Sequence, residues 1–311
     1  LDLSPYAAAY KWEERFPASV LSKVRYSPDA KTFGEGNLYG LPQTGEVVGV
    51  FYSKQRLTAL GKHVPTSWDE AAGQQAMVLG NIEKWPALHV FGPLQANFVE
   101  VDDIVKLGMG NKGASWVSDG NKLAMAQFAK WGAEGYFGSS PNGTDYDPAW
   151  TQFASGTGVF LPAGSWLATD LASTMGDDLG FFVLPALGGN LATTGGTGIP
   201  FAIPTKAKNQ AAAAAFIDFI TSDEAMKLIA EAGGMPVNKT AKLAPAAGAQ
   251  HDIFTAFAQV SENGTLLPYL DYATPSFADT AGAGLQEVLG GQKSADDVLA
   301  AFEADYTGFT G

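Results

Sequence analysis

Apolar residues in this chain occur both as short unbroken runs and as stripes at helical spacing. The run at 47–52 is apolar and valine-rich with no polar alternation, which predicts a strand covered on both faces. Other apolar segments bounded by turn residues predict further strands at 38–42, 87–91, 159–162, 181–184 and 199–203.

Stripes of apolar residues three and four positions apart predict helices between these strands. The helix that begins at Asp119 carries Ala124, Phe128 and Trp131 on one face. Further helices are predicted at 148–154, 166–175 and 209–220, and in a last segment that buries Val298, Leu299, Phe302 and Tyr306. Capping boxes are predicted at Ser67 with Glu70 and at Thr221 with Glu224, and a helix end at Gly233 and Gly234.

The order of these elements indicates the fold class. Strands and helices alternate until about residue 220, and helices follow, which favours the α/β class. A chain of 311 residues suggests about two domains, and a hydrophobic content of 46% supplies a full core.

Charge and cysteine content exclude several classes of partner and chemistry. The 32 acidic and 19 basic residues give a net charge of −13, which disfavours nucleic acid and anionic lipid surfaces. Cysteine is absent, so disulfides and thiolate chemistry are excluded. No apolar run reaches the roughly 18 residues of a membrane span, and we expect no signal peptide in this sequence.

Motifs for metal, nucleotide or nucleophile chemistry are weak. His63, His89 and His251 lie far apart and are interpreted as packing or surface residues, so no metal or other cofactor is expected. The glycines at 195–198 lack the Gly-Lys-Ser/Thr ending of a phosphate-binding loop, and a predicted strand follows them. Glu46, Asp145 and Asp147 leave glycoside hydrolysis open, because carboxylate separation is not visible in a sequence.

One aromatic residue has a position suited to ligand binding. Trp166 follows the predicted strand 159–162, and glycines lie on either side of it at 164 and at 195–198. The ends of strands are where α/β sheets bind ligands, and glycine lets the backbone approach a bound molecule. A core tryptophan at a strand–helix turn is the alternative interpretation.

Several motifs in sequence order resemble the sugar-binding subunits of ABC importers, the extracellular solute-binding family that includes the maltose-binding proteins. These motifs are Tyr-Gly-Leu-Pro at 39–42, Val-Phe-Tyr-Ser-Lys at 50–54, Pro-Thr-Ser-Trp-Asp-Glu at 65–70, Gly-Val-Phe-Leu-Pro-Ala-Gly-Ser-Trp at 158–166, Gly-Phe-Phe-Val-Leu-Pro at 180–185, Gly-Gly to Ile at 195–203, the helix pair 211–226 and Gly-Gly-Met-Pro-Val at 233–237. Each motif is weak alone, and their order across residues 38–240 makes the signal strong.

The resemblance implies a type II periplasmic-binding-protein fold, with two α/β lobes joined by hinge strands around a cleft. Residues 1–43 and 196–232 would form the first lobe, and residues 44–195 and 233–311 the second. The family normally has a βαβ portion upstream of the region that matches Leu1. The first lobe is therefore expected to be incomplete in this sequence.

The resemblance also implies a set of ligand-binding residues. Trp166 matches the family's sugar-stacking tryptophan, and Glu46 matches a carboxylate that accepts hydrogen bonds from sugar hydroxyls. The remaining positions implied are Gln43, Thr44, Gln95, Ser165, Thr193, Thr194, Gly195, Gly196, Met235, Tyr272 and Phe277.

These residue types suit a carbohydrate. The C–H face of a pyranose packs on an aromatic ring, and a carboxylate accepts hydrogen bonds from its hydroxyls. The expectation is a monomeric, non-enzymatic binder of a mono- or oligosaccharide that delivers it to an ABC permease from an extracellular or periplasmic position, anchored as a lipoprotein through a removed or absent N-terminus. A glycoside hydrolase, or the same fold with a non-sugar solute, stays open as an alternative.

Overall fold

A computed structural model describes residues 1–66 and 77–311. Helices and short 3-10 turns surround a central sheet. In chain order the first half comprises α1 Ser4–Tyr10, α2 Trp12–Arg15, α3 Ala18–Leu21, β1 Arg25–Tyr26, β2 Asn37–Leu38, β3 Leu41–Pro42, β4 Gly45–Ser53, α4 Lys54–Ala59, α5 Trp85–Gln95, α6 Val101–Gly108, α7 Asp119–Ala133 and α8 Tyr146–Ala154.

The second half begins with the strand that precedes Trp166. It comprises β5 Phe160–Gly164, α9 Ala168–Met175, β6 Leu179–Phe182, β7 Ala192–Thr197, β8 Pro200–Phe201, α10 Gln210–Ile220, α11 Asp223–Glu231, α12 Thr240–Leu243, α13 Ala249–Asn263, β9 Thr265–Leu267, α14 Phe277–Leu289 and α15 Ala295–Thr310. The mixture of strands and helices confirms the predicted α/β class.

The long strand β4 is the centre of a five-stranded sheet. It pairs antiparallel with β5, β6 and β7, and β7 pairs parallel with β9. Its buried side chains divide between two core clusters, with Val47 and Phe51 in one and Val50 in the other. The prediction of a strand covered on both faces is therefore confirmed. Two small antiparallel pairs, β1 with β2 and β3 with β8, lie outside this sheet.

Two large core clusters lie on the two sides of β4. One joins the N-terminal helices and α13 to the sheet, with Trp12, Phe153 and Phe254 fully buried. The other is built mainly from α5, α7, α14 and α15. It contains Ala124, Phe128, Trp131 and the four residues of the last predicted stripe, so both helical stripes are core as predicted. The predicted division into lobes stays a prediction.

Four local predictions need correction. Residues 87–91 belong to helix α5 rather than to a strand, because α5 is buried on most of its surface and shows no amphipathic period. The segments 38–42 and 199–203 contain only two-residue strands. Ser222, not Thr221, caps α11 by accepting a hydrogen bond from the Ala225 amide at 3.3 Å. The box at Ser67 and Glu70 lies outside the described residues.

Candidate functional site

Glu46 at the start of β4 and Trp166 just after β5 lie at the same end of these two antiparallel strands. Val48 pairs with Gly164, so Glu46 and Trp166 each lie two residues beyond that pair. The Ser165 hydroxyl accepts a hydrogen bond from the Val47 amide at 3.2 Å, which fixes the turn after β5. The sheet register therefore determines how the two main candidate residues are placed.

Glu46 lines a cavity of about 480 Å³ at this end of the strands. The cavity is lined by Lys23, Tyr26, Phe33, Glu46, Thr197, Gly198, Ile199, Pro200 and Tyr272. Glu46 Oε2 accepts a hydrogen bond from the Tyr269 hydroxyl at 3.1 Å. Burial raises the pKa of Glu46, and the hydrogen bond from Tyr269 lowers it in part. The carboxylate is half-buried and keeps its other oxygen for a further donor.

Aromatic side chains extend from Glu46 in both directions as a series of ring contacts, here called the aromatic track. On one side Tyr269 contacts Tyr272, which contacts Phe33, and Phe33 stacks on Tyr26 at a centroid distance of 4.8 Å. On the other side Tyr269 contacts His89, followed by Trp166, Trp85 and Tyr146. Trp166, Tyr26 and Tyr272 are 37%, 39% and 45% exposed, so the track has faces open to a ligand.

The Trp166 indole is held in one orientation. Its Nε1 donates a hydrogen bond to the Tyr146 hydroxyl at 2.9 Å. Its ring lies over Gly164, where a Cβ would overlap it, so glycine is required at that position. The alternative of a core tryptophan does not fit a side chain that is 37% exposed.

His89 lies within the track between Trp166 and Tyr269, with ring centroids 5.2 and 5.6 Å away. Trp85 and His89 are four residues apart in α5 and so share one helix face. Burial lowers the pKa of His89 to about 3, so the imidazole is neutral at physiological pH. Its Nδ1 is buried and makes no hydrogen bond within residues 1–66 and 77–311. A neutral imidazole offers one donor and one acceptor.

The segment predicted to line the cleft in the hinge return is β7. Thr193 and Thr194 are buried, and Thr193 Oγ1 donates a hydrogen bond to the Val48 carbonyl at 2.9 Å. Gly195 and Gly196 pair with Val47 and Glu46 in the register of β4 and β7. These residues therefore support the Glu46 backbone, and the two threonine side chains face the interior.

Two further predicted residues lie next to Glu46 in the chain. The Gln43 side chain donates a hydrogen bond to the Ile220 carbonyl at 2.9 Å, which ties it to the end of α10. Thr44 forms a backbone bridge with Pro236, and its carbonyl accepts a hydrogen bond from the Gly198 amide at 2.9 Å. Both are half-buried and flank the cavity rather than line it.

Three of the predicted contacts have side chains that lie in the core. Gln95 is fully buried and its Nε2 bonds to Asn121 Oδ1 at 2.6 Å. Phe277 is fully buried and stacks on Trp116. Met235 is 7% exposed and belongs to the core cluster of the N-terminal helices. Tyr272, from the same C-terminal part of the chain, does line the cavity.

Several residues of the site were not predicted as ligand contacts from the sequence, and one of them, His89, was interpreted as a packing or surface residue. They are Lys23, Tyr26, Phe33, Trp85, His89, Tyr146 and Tyr269. The spacing of Trp85 and His89 would have been informative if the helical state of α5 had been recognised. The others come from loops and element ends, where no periodicity marks a side chain.

The other candidate chemistries gain no support from the described residues. Asp147 accepts a hydrogen bond from Trp150 Nε1 at 3.0 Å, and neither Asp145 nor Asp147 lines the Glu46 cavity. Within residues 1–66 and 77–311 no cluster of three His, Asp or Glu side chains is arranged to hold a metal ion. In the same ranges, no helix combines the length and apolar character that crossing a membrane requires.

Comparison with known proteins identifies the class. The chain superposes on a chitin oligosaccharide binding protein with a TM-score of 0.79 and 24% identity, covering 100% of this chain and 79% of that one. It superposes on AcbH, a bacterial solute receptor described as preferring β-D-galactopyranose, with a TM-score of 0.78 and 18% identity, covering 100% and 80%. The fold is thus the two-lobed type II fold of periplasmic binding proteins.

The sequence comparison then gives the family. The model of the bacterial extracellular solute-binding proteins matches residues 3–256, and this chain belongs to that family. The multiple sugar-binding protein of Streptococcus mutans serotype c is 23% identical over 222 residues, covering 64% of this chain and 51% of that protein. The chain therefore spans about half the length of this curated relative. The family and these similar proteins are solute receptors rather than enzymes.

Proposed function

We propose that this protein binds a carbohydrate, an oligosaccharide in particular, in the cleft beside Glu46 and passes it to the permease of an ABC importer. The observation that carries the proposal is the aromatic track around a half-buried carboxylate. Aromatic faces bury the C–H surfaces of sugar rings, and a carboxylate accepts hydrogen bonds from their hydroxyls. The similar proteins include a multiple sugar-binding protein and a chitin oligosaccharide binding protein, which agrees with this choice of solute.

The proposed contacts are divided between apolar stacking and polar recognition. Trp166 and Tyr272 present exposed aromatic surface, and Glu46 supplies a polar group. A hydrogen bond to a charged group contributes about 1.5–3 kcal/mol, and a buried hydroxyl without a partner costs a similar amount. The positions of polar groups along the aromatic track would therefore determine which sugars bind, because a sugar with a mismatched hydroxyl would leave it without a partner.

We further propose that the two lobes predicted from the sequence, 1–43 with 196–232 and 44–195 with 233–311, close on the sugar. A ligand that contacts both walls of the cleft only in the closed form shifts the population to that form. The permease would recognise the closed, sugar-loaded monomer outside the membrane, with the protein held there as a lipoprotein. Small-angle scattering tests closure, since a decrease in radius of gyration with sugar is expected.

Calorimetric titration with neutral mono- and oligosaccharides tests the binding itself. Trp166→Ala should weaken binding by about tenfold to a hundredfold, because burying a large side chain contributes about 1.5–3 kcal/mol. Phe219→Ala, which alters a ring that is 72% exposed on α10, is the matched control and should leave affinity unchanged. The proposal fails if no sugar binds, or if reducing ends accumulate during incubation with an oligosaccharide.

A further inference from the structure

Lys23 is the basic side chain among the residues that line the Glu46 cavity. It lies in the 3-10 turn Ser22–Val24 and is 9% exposed. Its aliphatic stem runs along Gly196, where a Cβ would come within 3.1 Å of Lys23 Cγ. Because Gly196 pairs with Glu46, the stem lies beside the strand pair that carries the carboxylate. Lys23 also lines a neighbouring cavity of about 270 Å³.

The ammonium group of Lys23 has no protein partner in the described parts of the chain. It makes no hydrogen bond to residues 1–66 or 77–311, and none of their ion pairs includes it. Burial alone lowers the pKa of Lys23 to about 7. An ammonium that loses part of its hydration on burial is stabilised by an acceptor that replaces the lost water. A ligand in the cavity can supply that acceptor, because Lys23 lines it.

The groups that face Lys23 determine which acceptor fits. Glu46 and the phenols of Tyr26 and Tyr272 line the same cavity, and Glu35 lines the neighbouring one. Glu46 already accepts a hydrogen bond from Tyr269, and burial raises its pKa and that of both phenols. A neutral hydroxyl satisfies Glu46 but leaves the charge of Lys23 uncompensated. An anionic group on the ligand compensates it directly.

We propose that Lys23 is a specificity-determining residue and that the preferred solute is a sugar with an acidic substituent, a carboxylate or a phosphate. The anionic group contacts the Lys23 ammonium, a hydroxyl of the same sugar donates to Glu46, and the ring packs on the aromatic track. This inference rests on the proposed function, since it names the class of sugar that the same cleft takes.

Matched ligand pairs test the inference. Calorimetry at pH 6 measures the affinity for a uronic acid oligosaccharide and its neutral parent, and for a sugar phosphate and the free sugar. Each pair is measured on the unaltered protein, on Lys23→Met and on Lys130→Met. Met keeps the apolar stem against Gly196 and removes the charge, and Lys130 is an exposed lysine on α7. Thermal unfolding without ligand establishes that Lys23→Met is folded, and a midpoint equal to or above that of the unaltered protein is expected.

The unaltered protein should bind an acidic sugar about tenfold to a hundredfold more tightly than its neutral analogue. In Lys23→Met the ratio of acidic to neutral affinity should fall to about one, and in Lys130→Met that ratio should equal that of the unaltered protein. The preference should also shrink tenfold or more between pH 6 and pH 9, as Lys23 loses its proton. A preference in the uronic acid pair alone identifies the anionic group as a carboxylate, and a preference in the sugar phosphate pair alone identifies it as a phosphate.

Three outcomes overturn the inference in different ways. Equal affinity for acidic and neutral sugars in the unaltered protein removes Lys23 as a selector but leaves sugar binding intact. If Lys23→Met still prefers acidic sugars, another residue is responsible for that preference. Failure of every acidic and neutral sugar to bind removes the proposed function itself.

Discussion

The Tyr269 hydroxyl donates a hydrogen bond to Glu46 Oε2 at 3.1 Å, which joins the loop after β9 to the start of β4. This bond holds the carboxylate in one orientation and stabilises its ionised form against the effect of burial. It also connects Glu46 to the aromatic track, because Tyr269 contacts both His89 and Tyr272.

Removal of this bond should make sugar binding more sensitive to acid. In Tyr269→Phe the pKa of Glu46 should rise further, because the stabilising donor is lost while burial remains. Sugar affinity, measured by calorimetry from pH 7.5 to pH 4.5, should then begin to fall at a higher pH in Tyr269→Phe than in the unaltered protein. Tyr52→Phe, at the other end of β4, is the control and should keep the profile of the unaltered protein.

The imidazole of His89 should stay neutral across the physiological range. Burial holds its pKa at about 3, and its ring lies between those of Trp166 and Tyr269. Nitrogen NMR shifts between pH 5 and pH 8 should show one protonated and one unprotonated ring nitrogen throughout. The chain has three histidines, so His89→Gln assigns the signal. Titration of that signal within this range contradicts the structure.

Lys23 should make the ligand-free protein more stable as the pH rises above 7. Its pKa is about 7 in the folded state and 10.5 in the unfolded state, so the unfolded chain binds the extra proton between these values. The free energy of unfolding should therefore increase by at most about 1.4 kcal/mol per pH unit in this window. Denaturant titrations of the unaltered protein and Lys23→Met at pH 7 and 9 measure the difference, and equal slopes with pH would count against a buried amine.

Phe277 should prove to be a core residue rather than a sugar contact. It is fully buried against Trp116 and Phe302, with ring centroids 5.0 and 5.3 Å away. Phe277→Ala should lower the free energy of unfolding by about 3–5 kcal/mol, measured by chemical denaturation. The sugar affinity of the protein that remains folded should be unchanged. Phe219→Ala should cost less than about 0.5 kcal/mol in the same measurement.

The elements that can be predicted from the sequence are those whose burial is visible in the order of residues. The valine-rich run of β4 indicates a strand covered on both faces, and Ala124, Phe128 and Trp131 indicate the buried face of α7. The helix α5 could not be predicted in this way. Its surface is apolar on most sides, and Pro93 inside it argues against a helix.

The site is less predictable than the fold for a physical reason. The position of Trp166 after a predicted strand marks it as a candidate, but its pairing with Glu46 came only from the family resemblance, since their placement depends on the register of β4 and β5. Tyr269 and His89 lie far apart in the chain and meet only after α5 and β9 have packed on the same sheet. Lys23 resembles any exposed lysine until its burial beside Gly196 is known.

The hydrogen bond from Trp166 Nε1 to Tyr146 has a consequence for discrimination between epimers. An indole whose N–H is already engaged offers a bound molecule only its flat surface. It packs well on a pyranose face that carries only C–H groups and poorly on one that carries an axial substituent. It makes no hydrogen bond to hydroxyls at the edge of the sugar ring. Inverting a single stereocentre at the edge of the sugar ring should therefore change the contacts at Glu46, while stacking on Trp166 contributes equally to the binding of all sugars that fit.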